Sequence, residues 1–173
     1  MWDFFETVRH RHSVRKYLPD TPVEQEKIHA ILETACSAPS AGDLQAYHIV
    51  VVTQAAERAK LCRAAHDQSF ITEAPVSLIF FCDTRQSAAK YQERGERLYA
   101  IQDATIAAAF AQLAAVAAGM GSTWIGEFDE DEITSLFGVG PGFRPVAILS
   151  VGYPAELPEP TRRRPLEDMT TQC

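Results

Sequence analysis

The sequence predicts one α+β domain, and three observations lead there. Three apolar runs have the length and β-branched content of strands: His48–Thr53 (HIVVVT), Val76–Cys82 (VSLIFFC) and Pro145–Gly152 (PVAILSVG). Helical periodicity fills the spans around them, most extensively from Leu98 to Ala118. No internal repeat is visible, and 173 residues at 46% hydrophobic are enough for a single core.

Phe4, Phe5 and Val8 mark a first short amphipathic stretch. Thr21-Pro22 followed by Glu24 and Glu26 starts a second helix reaching Cys36, with Ile28, Ile31, Leu32 and Ala35 as its buried stripe. Ser37 to Asp43 is a loop by composition, and Ala55–Ala65 a short helix after the first strand. Val76–Cys82 is continuously apolar, which predicts a strand covered on both faces. Asp83–Glu96 is polar and charged, the natural place for a mobile or lid-like segment.

In the long helix, Ile101, Thr105, Ala108, Gln112 and Ala115 share one face, with Ile106, Phe110, Leu113, Ala117 and Met120 on the next. Its alanines permit close approach of another helix. Gly119-Met120-Gly121 ends it, Ser122–Phe128 is extended, and Asp129–Phe137 is a helix opened by acids that complement its dipole. Beyond Tyr153 the chain is Pro-rich and too poor in apolar residues to build a core of its own.

The net charge of −7 argues against general nucleic-acid binding. Positive charge gathers at two places, Arg9 to Lys16 and Arg162 to Arg164, a distribution that suits a small anionic ligand. Cys36, Cys62, Cys82 and Cys173 form no CxxC pair, and Cys36 and Cys82 end apolar runs, so buried free thiols are expected. The five histidines lack metal-ligand spacing, and no metal is expected. The acidic opening Met-Trp-Asp-Phe-Phe-Glu is unlike a secretory leader, and Ala104–Met120 falls short of a membrane span. A cytoplasmic protein with no membrane partner is expected.

Four segments carry candidate chemistry. Arg11-His12-Ser13-Val14-Arg15 places two guanidiniums and a hydroxyl on one side of an extended chain, a comb able to hold phosphate and a polar heterocycle. Ala38-Pro39-Ser40-Ala41-Gly42-Asp43 leads towards a strand. Gly126 precedes Glu127 in an extended piece, where glycine often marks close approach of a ligand to the backbone. Arg162-Arg163-Arg164 reads equally as a solvated tail or a phosphate clamp. Alone, each has an ordinary structural reading.

In this order and spacing, together with Tyr99-x-x-Gln102-Asp103, the segments resemble the FMN-dependent nitroreductase family along essentially the whole chain. The resemblance implies a compact member of that fold: a mainly antiparallel central sheet flanked by helices, in an intertwined homodimer with two FMN sites at the interface. It implies Arg11 on the FMN phosphate, with Ser13 and Arg15 towards the ribityl chain and pyrimidine edge. Pro39, Ser40, Ala41 and Asp43 belong to the loop that the partner protomer packs against the isoalloxazine. Gln68 falls near the pyrimidine ring, the backbone of Gly126 and Glu127 faces flavin N5, and Arg164 with Arg162 clamps the phosphate. The C-terminal extension, from about residue 154, would pack on the partner subunit.

The sequence departs from the family at Asp43, where Asn is common, at Ala46, where Pro is frequent, and at Tyr47, which replaces the usual Trp. The activity implied is ping-pong reduction of nitroaromatics, quinones or similar small acceptors by NADH or NADPH, with no catalytic side chain beyond the flavin contacts. Dehalogenation or flavin fragmentation on the same fold, and a non-catalytic flavin-binding sensor or store, are the alternatives.

Overall fold

Sheet, helices and connections alternate along the chain in a computed structural model that describes residues 3–173. Met1 and Trp2, where the leader argument begins, lie outside the described residues. The strands are β1 (Tyr47–Val52), β2 (Val76–Asp83), β3 (Gly121–Ile125) and β4 (Phe143–Gly152). They form one antiparallel sheet in the order β1-β2-β4-β3, as expected for this fold class.

β2 is central, and its unbroken apolar run follows from cover on both faces. Leu78 and Phe80 point to a core shared with α2 (Gln25–Cys36) and α6 (Ala100–Ala117). Ile79 and Phe81 point to the other core, with Leu61 of α3 (Ala55–Ala64), Ile71 of α4 (Phe70–Glu73) and Ile133 of α7 (Glu130–Phe137). Both phenylalanines are fully buried, each contributing roughly 1.5–3 kcal/mol. The ladder slips between Phe80 and Phe81, opposite Pro145, which has no amide hydrogen to give it.

The long helix buries Ala108, Gln112 and Ala115 of the first face named from the sequence, and a run of alanines beside them. Its deepest residues are Ala100, Ala104, Ala107, Ala108, Ala111 and Ala115, because small side chains let the helix axis approach sheet and α2 closely. Phe110 and Leu113 are pushed outwards instead. With Phe4 of α1 (Phe4–His10), Ile31 of α2 and Ala114 they line an open apolar groove of about 660 Å³.

The polar span 83–96, expected to be mobile or lid-like, is helical over most of its length. Asp83 caps α5 (Thr84–Arg94) by accepting from the Gln86 amide at 2.9 Å, and a π turn, Gly95–Tyr99, joins α5 to α6. Gln92 breaks the run with φ +52°. By length and composition Thr84–Ala117 is apolar enough to cross a membrane, but half of its most apolar window is buried in the fold, as in a core helix. Cys62 and Cys82 are buried, and burial pushes both thiols up. Cys36, expected inside, is exposed: it lies one position, about 100° of helix, past the buried Ala35.

Candidate functional site

The comb is extended backbone stitched between two strands. Ser13 bridges Ser122 of β3, and the Val14 amide donates to Ser122 O at 3.0 Å. Alternation then turns Val14 inwards, against Gly121, and Ser13 and Arg15 the other way. Tyr17 anchors the end, its hydroxyl donating to Val14 O at 2.7 Å, and Thr123 Oγ1 bonds the same carbonyl. Burial pushes the Tyr17 phenol up, so it stays a neutral donor. Arg15 lies over the Phe70 ring at 5.8 Å, which fixes its guanidinium.

Gly126 and Glu127 leave the sheet at the end of β3. Gln68 holds them: its amide nitrogen donates to Glu127 O at 3.1 Å and Ala65 O at 2.9 Å, and Asp129 N donates to Ala64 O. Gln68 Oε1 accepts nothing among the described residues and is available to a ligand N–H. A methyl at Gly126 would meet nothing nearer than Trp124 Nε1 at 3.8 Å, so one side of this backbone is open.

Of the C-terminal arginines, Arg163 is the one whose charge bears on Arg11. Partial burial, and then the charge of Arg163, hold Arg11 below the usual arginine range. Neither makes an ion pair among the described residues. Arg164 donates to Asp168 O at 3.0 Å, closing its own turn, and Arg162 is exposed. The family resemblance points to Arg164 with Arg162 within this cluster, and the charge of Arg163 bears on Arg11 beside them.

The Pro39–Asp43 loop is equally well held. Ala41 N donates to Asp103 Oδ1 at 2.8 Å, Gln45 N donates to Ser40 Oγ at 2.9 Å, and Gln86 Nε2 donates to Leu44 O at 2.7 Å. Gly42, Asp43 and Gln45 all have positive φ (+59°, +57° and +50°), a backbone strained at two non-glycine positions. The following Tyr47 phenol is pushed up to about 12, chiefly by burial.

Comb and loop occupy opposite corners of the sheet. β1 and β3 are its two edges, three strand spacings or about 14 Å apart. The loop enters β1 at Tyr47, level through Cys82 with Arg144 of β4, whereas Ser122 beside the comb is level with Val151. That adds about 24 Å along the strands. Within one chain the register therefore leaves Pro39, Ser40, Ala41 and Asp43 apart from Ser13 and Arg15, while Gln68 ties Glu127 to the segment that leads to Phe70 beneath Arg15. Among the described residues no group of three or more His, Cys, Asp and Glu is disposed to hold a metal ion.

The sequence model of the Nitroreductase family matches residues 8–69 and 63–153. The chain belongs to the nitroreductase family. A Thermus thermophilus relative named NADH dehydrogenase is 33% identical, covering 91% of this chain and 89% of its own. A Bacillus subtilis FMN reductase [NAD(P)H] is 27% identical over 99% of this chain and 74% of its own. The solved structure of Bacillus megaterium NfrA2 superposes with a TM-score of 0.91 at 27% identity, covering 99% of this chain and 74% of that one. Nitroreductase membership thus spans both corners of the sheet, the loop as well as the comb.

Proposed function

We propose that this nitroreductase is a homodimeric, FMN-dependent oxidoreductase that oxidises NADH or NADPH and reduces small electron-poor acceptors such as nitroarenes or quinones. The observation that carries this reading is the match of residues 8–153 to the Nitroreductase family, with the half-buried Arg11 of the comb making no ion pair among the described residues. A partly buried guanidinium with no acid paired to it, and with the charge of Arg163 also bearing on it, suits an anion, and a phosphate beside the comb meets that need. The names of the Thermus and Bacillus subtilis relatives support the same cofactors.

The residues fit FMN. Arg11 and Arg163 would take its phosphate, with Arg162 and Arg164 adding positive charge nearby. Ser13 and Arg15 would follow the ribityl chain and pyrimidine edge, Gln68 Oε1 would accept from the ring N–H, and the open backbone at Gly126 and Glu127 would face N5. Pro39, Ser40, Ala41 and Asp43 would come from the partner, since the sheet separates them from their own comb. The apolar groove between α1, α2 and α6 is the face we assign to that partner. The extension from residue 154, with Leu157, Leu166 and Met169 exposed, would pack on the same subunit. Free thiols suit the cytoplasm.

FMN held by these residues would supply the redox chemistry, hydride acceptance from a nicotinamide and ping-pong reduction of the acceptor. The chain's own part is to hold the rings in register and to present N–H groups where negative charge develops. The purified protein should be yellow, bleach anaerobically with NADH or NADPH, and recover colour with menadione. A colourless protein that cannot be reconstituted with FMN overturns the proposal. A yellow protein that no nicotinamide bleaches leaves only a flavin-binding module.

A further inference from the structure

Beside the Pro39–Asp43 loop, α5 and the π turn gather cations and aromatic rings that the comb does not use. Lys90 Nζ donates to Gly42 O at 3.3 Å and lies 5.3 Å from the Tyr91 ring centroid. Tyr91 and Tyr99 meet edge to face at 5.0 Å. Arg94 lies over Tyr99, 5.3 Å from its centroid, and donates to its hydroxyl at 2.9 Å. A side chain at Gly42 would collide with the Tyr91 hydroxyl and Lys90 Nζ, so the loop and α5 are in direct contact.

The charge balance here is unusual for an acidic chain. Neither Lys90 nor Arg94 makes an ion pair among the described residues. Of the neighbouring acids, Glu93 pairs with Arg97 at 3.1 Å and Asp83 caps α5, while the exposed Glu96 pairs with neither cation. Asp43, in the loop itself, pairs with neither cation. Two exposed cations are thus held in place by tyrosine faces instead of by carboxylates, and Gln92 between them carries a strained positive φ.

We infer that Lys90, Tyr91, Arg94 and Tyr99 form an acceptor subsite for an aromatic electron acceptor bearing a carboxylate. This rests on the reading of the Pro39–Asp43 loop as the one packed against the flavin. Lys90 grips that loop, so an aromatic ring stacked on the flavin would present its substituents to Lys90 and, next to it, Arg94. The tyrosines supply an apolar wall for the ring, and the cations a counter-charge that a neutral acceptor cannot use.

The test uses the FMN-loaded protein and two matched pairs of probes. In turnover with NADH, 4-nitrobenzoate should exceed 4-nitrobenzamide in kcat/KM by about tenfold, the value of a charge-assisted contact. Lys90→Met with Arg94→Met should erase that ratio, and Lys90→Arg should keep most of it. Benzoate should perturb the flavin absorption band at lower concentration than benzamide, and the double variant, compared at saturating FMN, should lose the difference. The inference is overturned by a ratio within about twofold of unity in the parent protein. It is equally overturned by a ratio the double variant leaves in place, or by loss of NADPH-over-NADH preference in its stead. A protein that takes up no FMN fails earlier and identifies the proposed cofactor reading as the fault.

Discussion

The amide of Ala41 donates to the carboxylate of Asp103 across 2.8 Å, tying the loop before β1 to the first turn of the long helix. Asp103 is 2% exposed and its second oxygen has no partner, an arrangement kept at a desolvation cost. Its natural purpose is to fix the loop. Asp103→Asn, which retains an acceptor for Ala41, should hold flavin nearly as well as the parent. Asp103→Leu should weaken FMN binding by about tenfold, the value of one charge-assisted hydrogen bond. Flavin fluorescence on titration reads both.

The arginines make a sharper test of the phosphate. Arg11→Ala and Arg163→Ala should each raise the FMN dissociation constant by roughly tenfold or more, while leaving riboflavin binding little changed. Arg164→Ala, whose guanidinium is spent on Asp168 O, should have the smaller effect. Equal losses for riboflavin and FMN would contradict the phosphate role.

Two glycines should separate stability from binding. A methyl at Gly121 would lie 2.6 Å from Val14 Cγ2, so Gly121→Ala should cost about 1–3 kcal/mol by overpacking. Gly126→Ala meets open space, should leave the melting temperature within a degree or so, and should reduce flavin affinity by crowding the ring. Melting curves with and without FMN distinguish the cases.

Acid should weaken the clasp between α7 and β4. Arg144 binds both oxygens of Glu130, at 2.7 and 2.9 Å, and holds its carboxyl below the usual range. A pKa depressed by folding means stabilisation present at neutral pH and lost as pH falls through the folded value. Because both groups are about half exposed, the effect should be no more than about 1 kcal/mol. Glu130→Gln should therefore lower stability slightly at pH 7, and the gap from the parent should close below about pH 4.

The groove offers a direct test of the dimer. Leu113→Glu puts a charge among Phe4, Ile31 and Phe110 and should convert the protein to monomers in sedimentation. Flavin should be lost with the dimer.

Strand positions were legible in the sequence because apolar runs of β-branched residues have few other uses, and β1, β2 and β4 fall where HIVVVT, VSLIFFC and PVAILSVG predict. Asp129 capping α7 was legible for a similar local reason. The full stripe of α6 was not, since alanine is mildly apolar on every face and only packing decides which face goes in. The helical form of Asp83–Glu96, read from the sequence as a mobile or lid-like segment, was not legible because a solvated helix carries the same polar residues as a loop. In the candidate site, the comb and Gly126 could be nominated from the residues themselves, and Gln68 through the family resemblance. Arg163 could not, because three adjacent arginines differ only in direction, and Asp103 showed only as part of a helix-start pattern.

The diagonal layout of comb and loop has a genetic reading. Each proposed site takes its comb from one chain and its loop from the other. A dimer of an Arg11→Ala chain with an Asp103→Leu chain would then pair both lesions in one site and leave the other wholly intact. Two alleles that are each defective alone should restore flavin and turnover when co-expressed, which is intragenic complementation between opposite corners of a single sheet.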